Sequence, residues 1–136
     1  IAMQLTNIAR DVIEDKNRNR EYIKHDFSSI EETIKDSEYF YDKSFKSISS
    51  IPLKFRFAVI VARRIYKKIN YYILKQKNIK NYDNAGKIYV PFFAKIIETL
   101  NSVIDFIKLL FVKDISYDNF KNHSILIKEI DLNERI

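Results

Sequence analysis

The chain has 136 residues, a net charge of +6, 46% hydrophobic residues, one glycine, two prolines and no cysteine. That length allows one domain with a packed core and not two, and the apolar content excludes a disordered tail. The missing cysteines exclude disulfides, a zinc-thiolate site and a cysteine nucleophile, and so few turn residues exclude a β-rich fold.

Long stretches of Leu, Ile, Lys, Glu and Tyr predict an all-α protein. The basic balance carries no Lys/Arg block of the kind that marks a nucleic-acid patch, so the lysines are expected on solvated faces and no nucleic-acid partner is expected. The lack of cysteine fits a reducing compartment, the cytoplasm. At the first residue the apolar period is already running through Ile1, Leu5, Ile8 and Val12, and the expectation is that the true start lies upstream.

Residues 1–17 read as one helix, followed by a polar, irregular stretch at 18–27. Ser28 followed by Ile30, Glu31 and Glu32 predicts a capped helix over 29–42, and Ser44 to Ser50 reads as a break. Pro52 opens a helix over about 52–77 with a core stripe of Val59, Ala62, Tyr66, Ile69 and Ile73; Arg63, Arg64, Lys67 and Lys68 are expected on its solvated side. Asn78 to Gly86 reads as a loop. A second long helix is expected up to residue 112 with Pro91 in its first turn, and a last one around Phe120–Ile130. The apolar run from Phe106 to Val112 is too short to span a bilayer. It reads as a core or interface helix, or as a face resting on a membrane. His25 and His123 have no partner at metal or triad spacing.

The informative segment is the first helix. At about 100° per residue, Asn7 and Asp15 fall about 40° to either side of Asp11, with Gln4 and Arg18 close to Asp11 itself and Glu14 about 60° away. Amides and acids therefore share a stripe opposite a broad apolar face. Carboxylates at i and i+4 repel each other, and a divalent cation between them would remove that repulsion. Mg²⁺ binds through one or two carboxylates plus substrate phosphates. Asn7 and Gln4 can donate to phosphate oxygens or ligate through their carbonyls, and Arg10 and Arg20 can stabilise a departing diphosphate. Glu14 is read as orienting the ligands from behind or pairing with Arg10 or Arg18.

The stretch from Ala2 to Asp15, followed by Arg20-Glu21-Tyr22, resembles the second aspartate-rich motif of the squalene/phytoene synthase family, N-I-x-R-D-x-x-E-D and then G-R-x-Y-x-P. Its wording around Gln4-Leu5-Thr6-Asn7 is most similar to bacterial phytoene synthases. Ala62 to Ile69 is similar to the family's A-x-x-x-Y-x-x-I helix. Tyr82-Asp83 and Lys87 to Val90 resemble its Y-D loop and R-x-Y-V segment. The resemblance spans roughly residues 1–112. It departs at Asn19 for Gly, Lys24 for Pro, Lys87 for Arg, which loses a bidentate fork, and Pro91 for Ser.

The resemblance implies an isoprenoid-synthase-like all-α domain of which residues 1–136 are the C-terminal half; the first aspartate-rich motif is not in these residues. It implies a Mg²⁺-dependent transferase, with Mn²⁺ as substitute, that joins two geranylgeranyl diphosphates head to head into phytoene. A squalene-type synthase using farnesyl diphosphate and a non-catalytic, membrane-associated relative acting in assembly are the alternatives. Asp11 and Asp15 would bind the metal, and Gln4, Asn7, Arg10, Arg20 and Lys87 the diphosphate, while Tyr66 would line the cavity beside the prenyl chains. The expected partners are the prenyl diphosphate, the N-terminal half and, peripherally, the inner membrane.

Overall fold

The computed structural model describes residues 1–112, and these form six α-helices, a 3₁₀ helix and their connections, with no strand among the described residues. The helices are α1 (Ala2–Arg10), α2 (Val12–Asn17), α3 (Phe27–Ser44), α4 (Leu53–Leu74), α5 (Ile79–Ala85) and α6 (Phe92–Leu110), with the 3₁₀ helix at Lys46–Ser50. The all-α expectation holds. The helix expected around Phe120–Ile130, and His123 with it, lies outside the described residues.

The predicted helix over 1–17 is interrupted at Asp11, whose backbone sits at φ −103°, ψ 16°. The interruption is a kink, because Asp11 N–H still donates to Asn7 O at 2.9 Å and Asp15 N–H to Asp11 O at 2.8 Å. Its cause lies more than seventy residues further along the chain. The Tyr82 hydroxyl reaches Ala9 O at 2.9 Å and Arg10 O at 2.7 Å. In an uninterrupted helix those two carbonyls would receive the N–H groups of Ile13 and Glu14. Past α2 the chain turns through Asn19, whose φ of +56° is left-handed. Asparagine tolerates that region better than most residues, so it can stand where the resembled motif has glycine.

Three other boundaries differ from expectation. The cap of α3 is Asp26, whose carboxylate accepts Ser29 N–H at 2.8 Å, so the helix starts two residues before the serine-based reading. Of the break read over 44–50, Ser44 ends α3 and Lys46–Ser50 closes into a 3₁₀ helix. The predicted loop at 78–86 contains α5, capped by Asn78 Oδ1 on Asn81 N–H at 2.9 Å.

The main core gathers Ala9 and Val12, Ile30 and Ile34 of α3, Ile69 and Ile73 of α4, and Tyr82, Ile88 and Val90. A smaller cluster of Ile48, Ile60 and Leu109 ties the 3₁₀ helix to α4 and α6. Of the expected α4 stripe, Ile69 and Ile73 are buried and Tyr66 packs partly buried against the main core. The basic residues of α4 are not a solvated face. Arg64 bonds Glu98 at 3.0 Å and Asp105 at 2.6 Å on α6, Lys68 lies 3.3 Å from Glu98, and Lys67 pairs with Glu38 and Asp42 on α3. Counting period alone put them outside; long cationic side chains instead reach sideways into the two helix seams.

A buried polar chain links α1, α3 and α4: Thr6 Oγ1 lies 2.9 Å from Ser37 Oγ and 3.2 Å from the Tyr41 hydroxyl, and Asn70 Nδ2 donates to Ser37 Oγ and Glu38. Burial pushes the Tyr41 hydroxyl up to about 12, so it stays neutral.

Tyr82→Phe should lower stability by about 1–2 kcal/mol, since it strands two carbonyls at the kink; the urea midpoint reads the loss. Asp26→Ala should lower the urea midpoint at neutral pH. The Ser29 backbone N–H holds the Asp26 carboxyl below its usual 3.8, so its stabilising effect is present above that value and fades as pH falls through the lower folded one. The gap between wild type and variant should therefore shrink in a urea series run below pH 4.

Candidate functional site

The kink places Asp11 at the hinge between α1 and α2, facing the turn at Gly86 and Lys87. Gly86 takes φ +63°, a conformation that suits glycine, and so turns the chain back to bring Lys87 alongside α2. Arg10 binds Asp11 through two hydrogen bonds, Nε to Oδ1 and Nη2 to Oδ2, both 2.8 Å. Lys87 Nζ stands 3.5 Å from Asp11 Oδ1 and hydrogen-bonds to Glu14 Oε2, while Arg18 closes on Glu14 at 2.6 Å. Glu14 is thus the partner of Arg18, as one reading of the sequence had it, and also of Lys87.

These groups border a cavity of about 170 Å³ lined by Arg10, Asp11, Ile13, Glu14, Asn17, Gly86 and Lys87. Burial opposes the Asp11 charge, but the Arg10 hydrogen bonds and the charges of Arg10 and Lys87 outweigh it and hold the carboxyl below its usual range. The Lys87 hydrogen bond, then the Arg18 charge, does the same for Glu14. Glu14 in turn holds Lys87 above the usual lysine range, and the Asp11 hydrogen bonds raise Arg10. Two anions and three cations meet here.

Asp15 lies elsewhere. With Ile8, Val12, Lys16 and Arg20 it lines a crevice of about 10 Å³, and its carboxylate has no ion-pair partner among the described residues. Asp11 and Asp15 thus border different cavities, although the helical bond between their backbones is kept. Arg20 is solvent-exposed beside Asp15, Gln4 is exposed, and Tyr66 belongs to the core side of α4. Asn7 Oδ1 is buried with no hydrogen-bond partner among the described residues.

The donors available to a metal are oxygens, the kind Mg²⁺ takes: the carboxylates of Asp11 and Asp15 and the orphaned Asn7 carbonyl. Among the described residues no group of three or more His, Cys, Asp or Glu gathers to hold an ion. The donors fit a cation held by one or two carboxylates and otherwise by water and a ligand's phosphate oxygens. Arg10 and Asp11 satisfy each other through both carboxylate oxygens, so either engages an outside group only by releasing the other.

One contact escaped the sequence reading. His25 Nε2 lies 2.8 Å from Asp83 Oδ1 and ties the segment after α2 to α5. Tyr82 and Asp83 thus latch α5 to both sides of the carboxylate region. The pair stands 58 residues apart, beyond any local spacing signal. No family model matches this chain, and no curated protein or solved structure matches it either.

Replacing Lys87 by Met should raise the Glu14 titration midpoint toward the ordinary 4.5. The midpoint should stop short of that value because Arg18 remains. Carboxyl carbon shifts followed against pH measure it.

Proposed function

We propose that this chain carries the diphosphate-handling half of a head-to-head prenyltransferase, one that joins two geranylgeranyl diphosphates into phytoene. Two supports stand behind the reading. The first is the motif from Asn7 to Asp15, with its echoes at Tyr66, Tyr82-Asp83 and Lys87. The second, which carries most weight, is the convergence on one cavity of the adjacent Arg10 and ionised, half-buried Asp11 with Lys87 from the far side of the described chain.

The chemistry of this half is electrostatic. Asp11 would hold Mg²⁺, which when bound neutralises a diphosphate and eases its departure, and Asp15, on the neighbouring crevice, would join it through bound water. Arg10 released from Asp11 presents two N–H groups in a fork that matches phosphate oxygens. Lys87 adds a point charge from the opposite wall. The low carboxyl range of Asp11 keeps it anionic at neutral pH without a metal, so no proton need leave before one binds. Tyr66, on the main-core side of α4, does not line this cavity and would supply aromatic wall against water only in the cavity that the other half completes. The facing carboxylate helix would come from an N-terminal half of the domain, and chain-length choice between geranylgeranyl and farnesyl substrates would depend on the depth of the cavity so completed.

In the protein carrying both carboxylate helices, Asp11→Asn and Asp15→Asn should each abolish product formation from geranylgeranyl diphosphate and Mg²⁺ while far-UV circular dichroism stays unchanged. Near-normal turnover in either variant would refute the assignment. A product made only from farnesyl diphosphate would move it to the squalene-type alternative.

A further inference from the structure

A groove of about 420 Å³ opens at the start of α1, about 15 Å along that helix from Asp11. It shares no lining residue with the cavity beside Asp11 or the crevice beside Asp15. Met3 of α1, Phe40 of α3, Ile48 of the 3₁₀ helix and Val59 of α4, with Ile51 between the last two, supply its apolar walls. One wall is fixed by packing: Ile48 belongs to the smaller core cluster, and Ile51 and Val59 pack against it. Mostly apolar walls with few polar groups, in a volume of about 300–1,000 Å³, are the make-up of a small-molecule site.

Among the lining residues Arg63 alone is charged, and it is poorly compensated. Its Nε donates to Tyr41 O at 3.2 Å and its Nη2 to Asp42 Oδ1 at 3.3 Å, which leaves Nη1 without a partner among the described residues. The guanidinium lies 4.7 Å from the centre of the Phe45 ring. Only 11% of the Arg63 side chain is exposed, whereas Asp42 is 69% exposed and shared with Lys67. Burial, with the like charge of Arg64 beside it, outweighs Asp42, Asp105 and Glu38 and pulls the guanidinium below its usual range.

We propose that this groove binds a small amphiphilic carboxylate, of the medium-chain fatty acid class, with its head on Arg63 and its tail along Met3, Ile48, Ile51 and Val59. The apolar walls favour an alkyl tail, because each methylene leaves water on binding. A single desolvated cation calls for a single negative head, and a guanidinium, more weakly hydrated than an ammonium, suits a carboxylate. A diphosphate would bring more negative charge than one arginine balances. Nothing in this groove depends on the carboxylate cluster at Asp11.

The chain has one methionine, Met3, and it lies on the groove, so a ¹³C-methyl methionine label gives a single reporter. Octanoate and 1-octanol are titrated into the labelled chain at neutral pH while the Met3 methyl shift is followed. Octanoate should saturate the shift and bind about ten-fold tighter than octanol, the worth of one charge-assisted hydrogen bond. Decanoate should bind tighter than octanoate, and octanoate tighter than hexanoate. Arg63→Gln should bring octanoate and octanol to about equal affinity, and Val59→Phe, which fills the groove, should weaken both about ten-fold; circular dichroism checks that each variant is folded. Leu100→Glu, on the exposed side of α6, should leave the Met3 titration unchanged. Equal affinity of the wild-type chain for octanoate and octanol overturns the proposal without recourse to any variant. So does a Met3 shift saturated by inorganic phosphate alone, one lost in Leu100→Glu, or one that follows protein concentration alone, which would make a second copy the occupant.

Discussion

A single hydroxyl decides how the candidate site is laid out. Tyr82 donates into the ladder of the first helix at Ala9 and Arg10, and the helix bends there. Without the bend, Asp11 and Asp15 would point the same way and crowd two anions on one face. In the bent helix Asp11 stands beside Lys87 in a cluster of two anions and three cations, while Asp15 lines a separate crevice with Arg20. The tyrosine is fully buried, and burial drives its hydroxyl well above the ordinary range. It therefore stays a neutral donor at neutral pH. Asp83, the next residue, holds His25, so two adjacent side chains fix both flanks of the carboxylate segment.

The second half of the described chain obeys a different constraint. An amphipathic helix ordinarily buries its apolar side, yet α6 buries acids, because Arg64 offers them a forked, partly desolvated partner between the helices. Truncating Arg64 would leave Glu98 to Lys68 and Asp105 to Lys108 alone, each by a single longer contact. The ion pairs thus do less to add stability than to set which way the helix faces.

What was legible in the sequence follows physical range. Helix existence and the all-α class rest on local period and composition, and they were readable. Pro91 marked the start of α6 correctly because a proline constrains only its own neighbourhood. The Asn7–Asp15 stripe was recognisable, but its geometry was not, since the kink is imposed by Tyr82 from more than seventy residues away. Helix α5 was missed because seven residues give too few periods to count, although Asn78 was a cap in plain view. Arg64 and Lys68 were placed outside because a charge on a helix looks solvated until its partner helix is known. The Lys87–Glu14 and His25–Asp83 contacts are long-range pairings of the same kind.

The central claim is that the Asp11 cluster is built to receive a metal-bound diphosphate, and calorimetric titration of inorganic pyrophosphate into the chain, with and without Mg²⁺, tests it most directly. The account predicts binding that requires Mg²⁺ and is lost in Asp11→Asn, with Lys87→Met weaker than wild type. Pyrophosphate binding of equal strength without Mg²⁺, or retained in Asp11→Asn, would contradict it and leave the cluster as a structural ion-pair network.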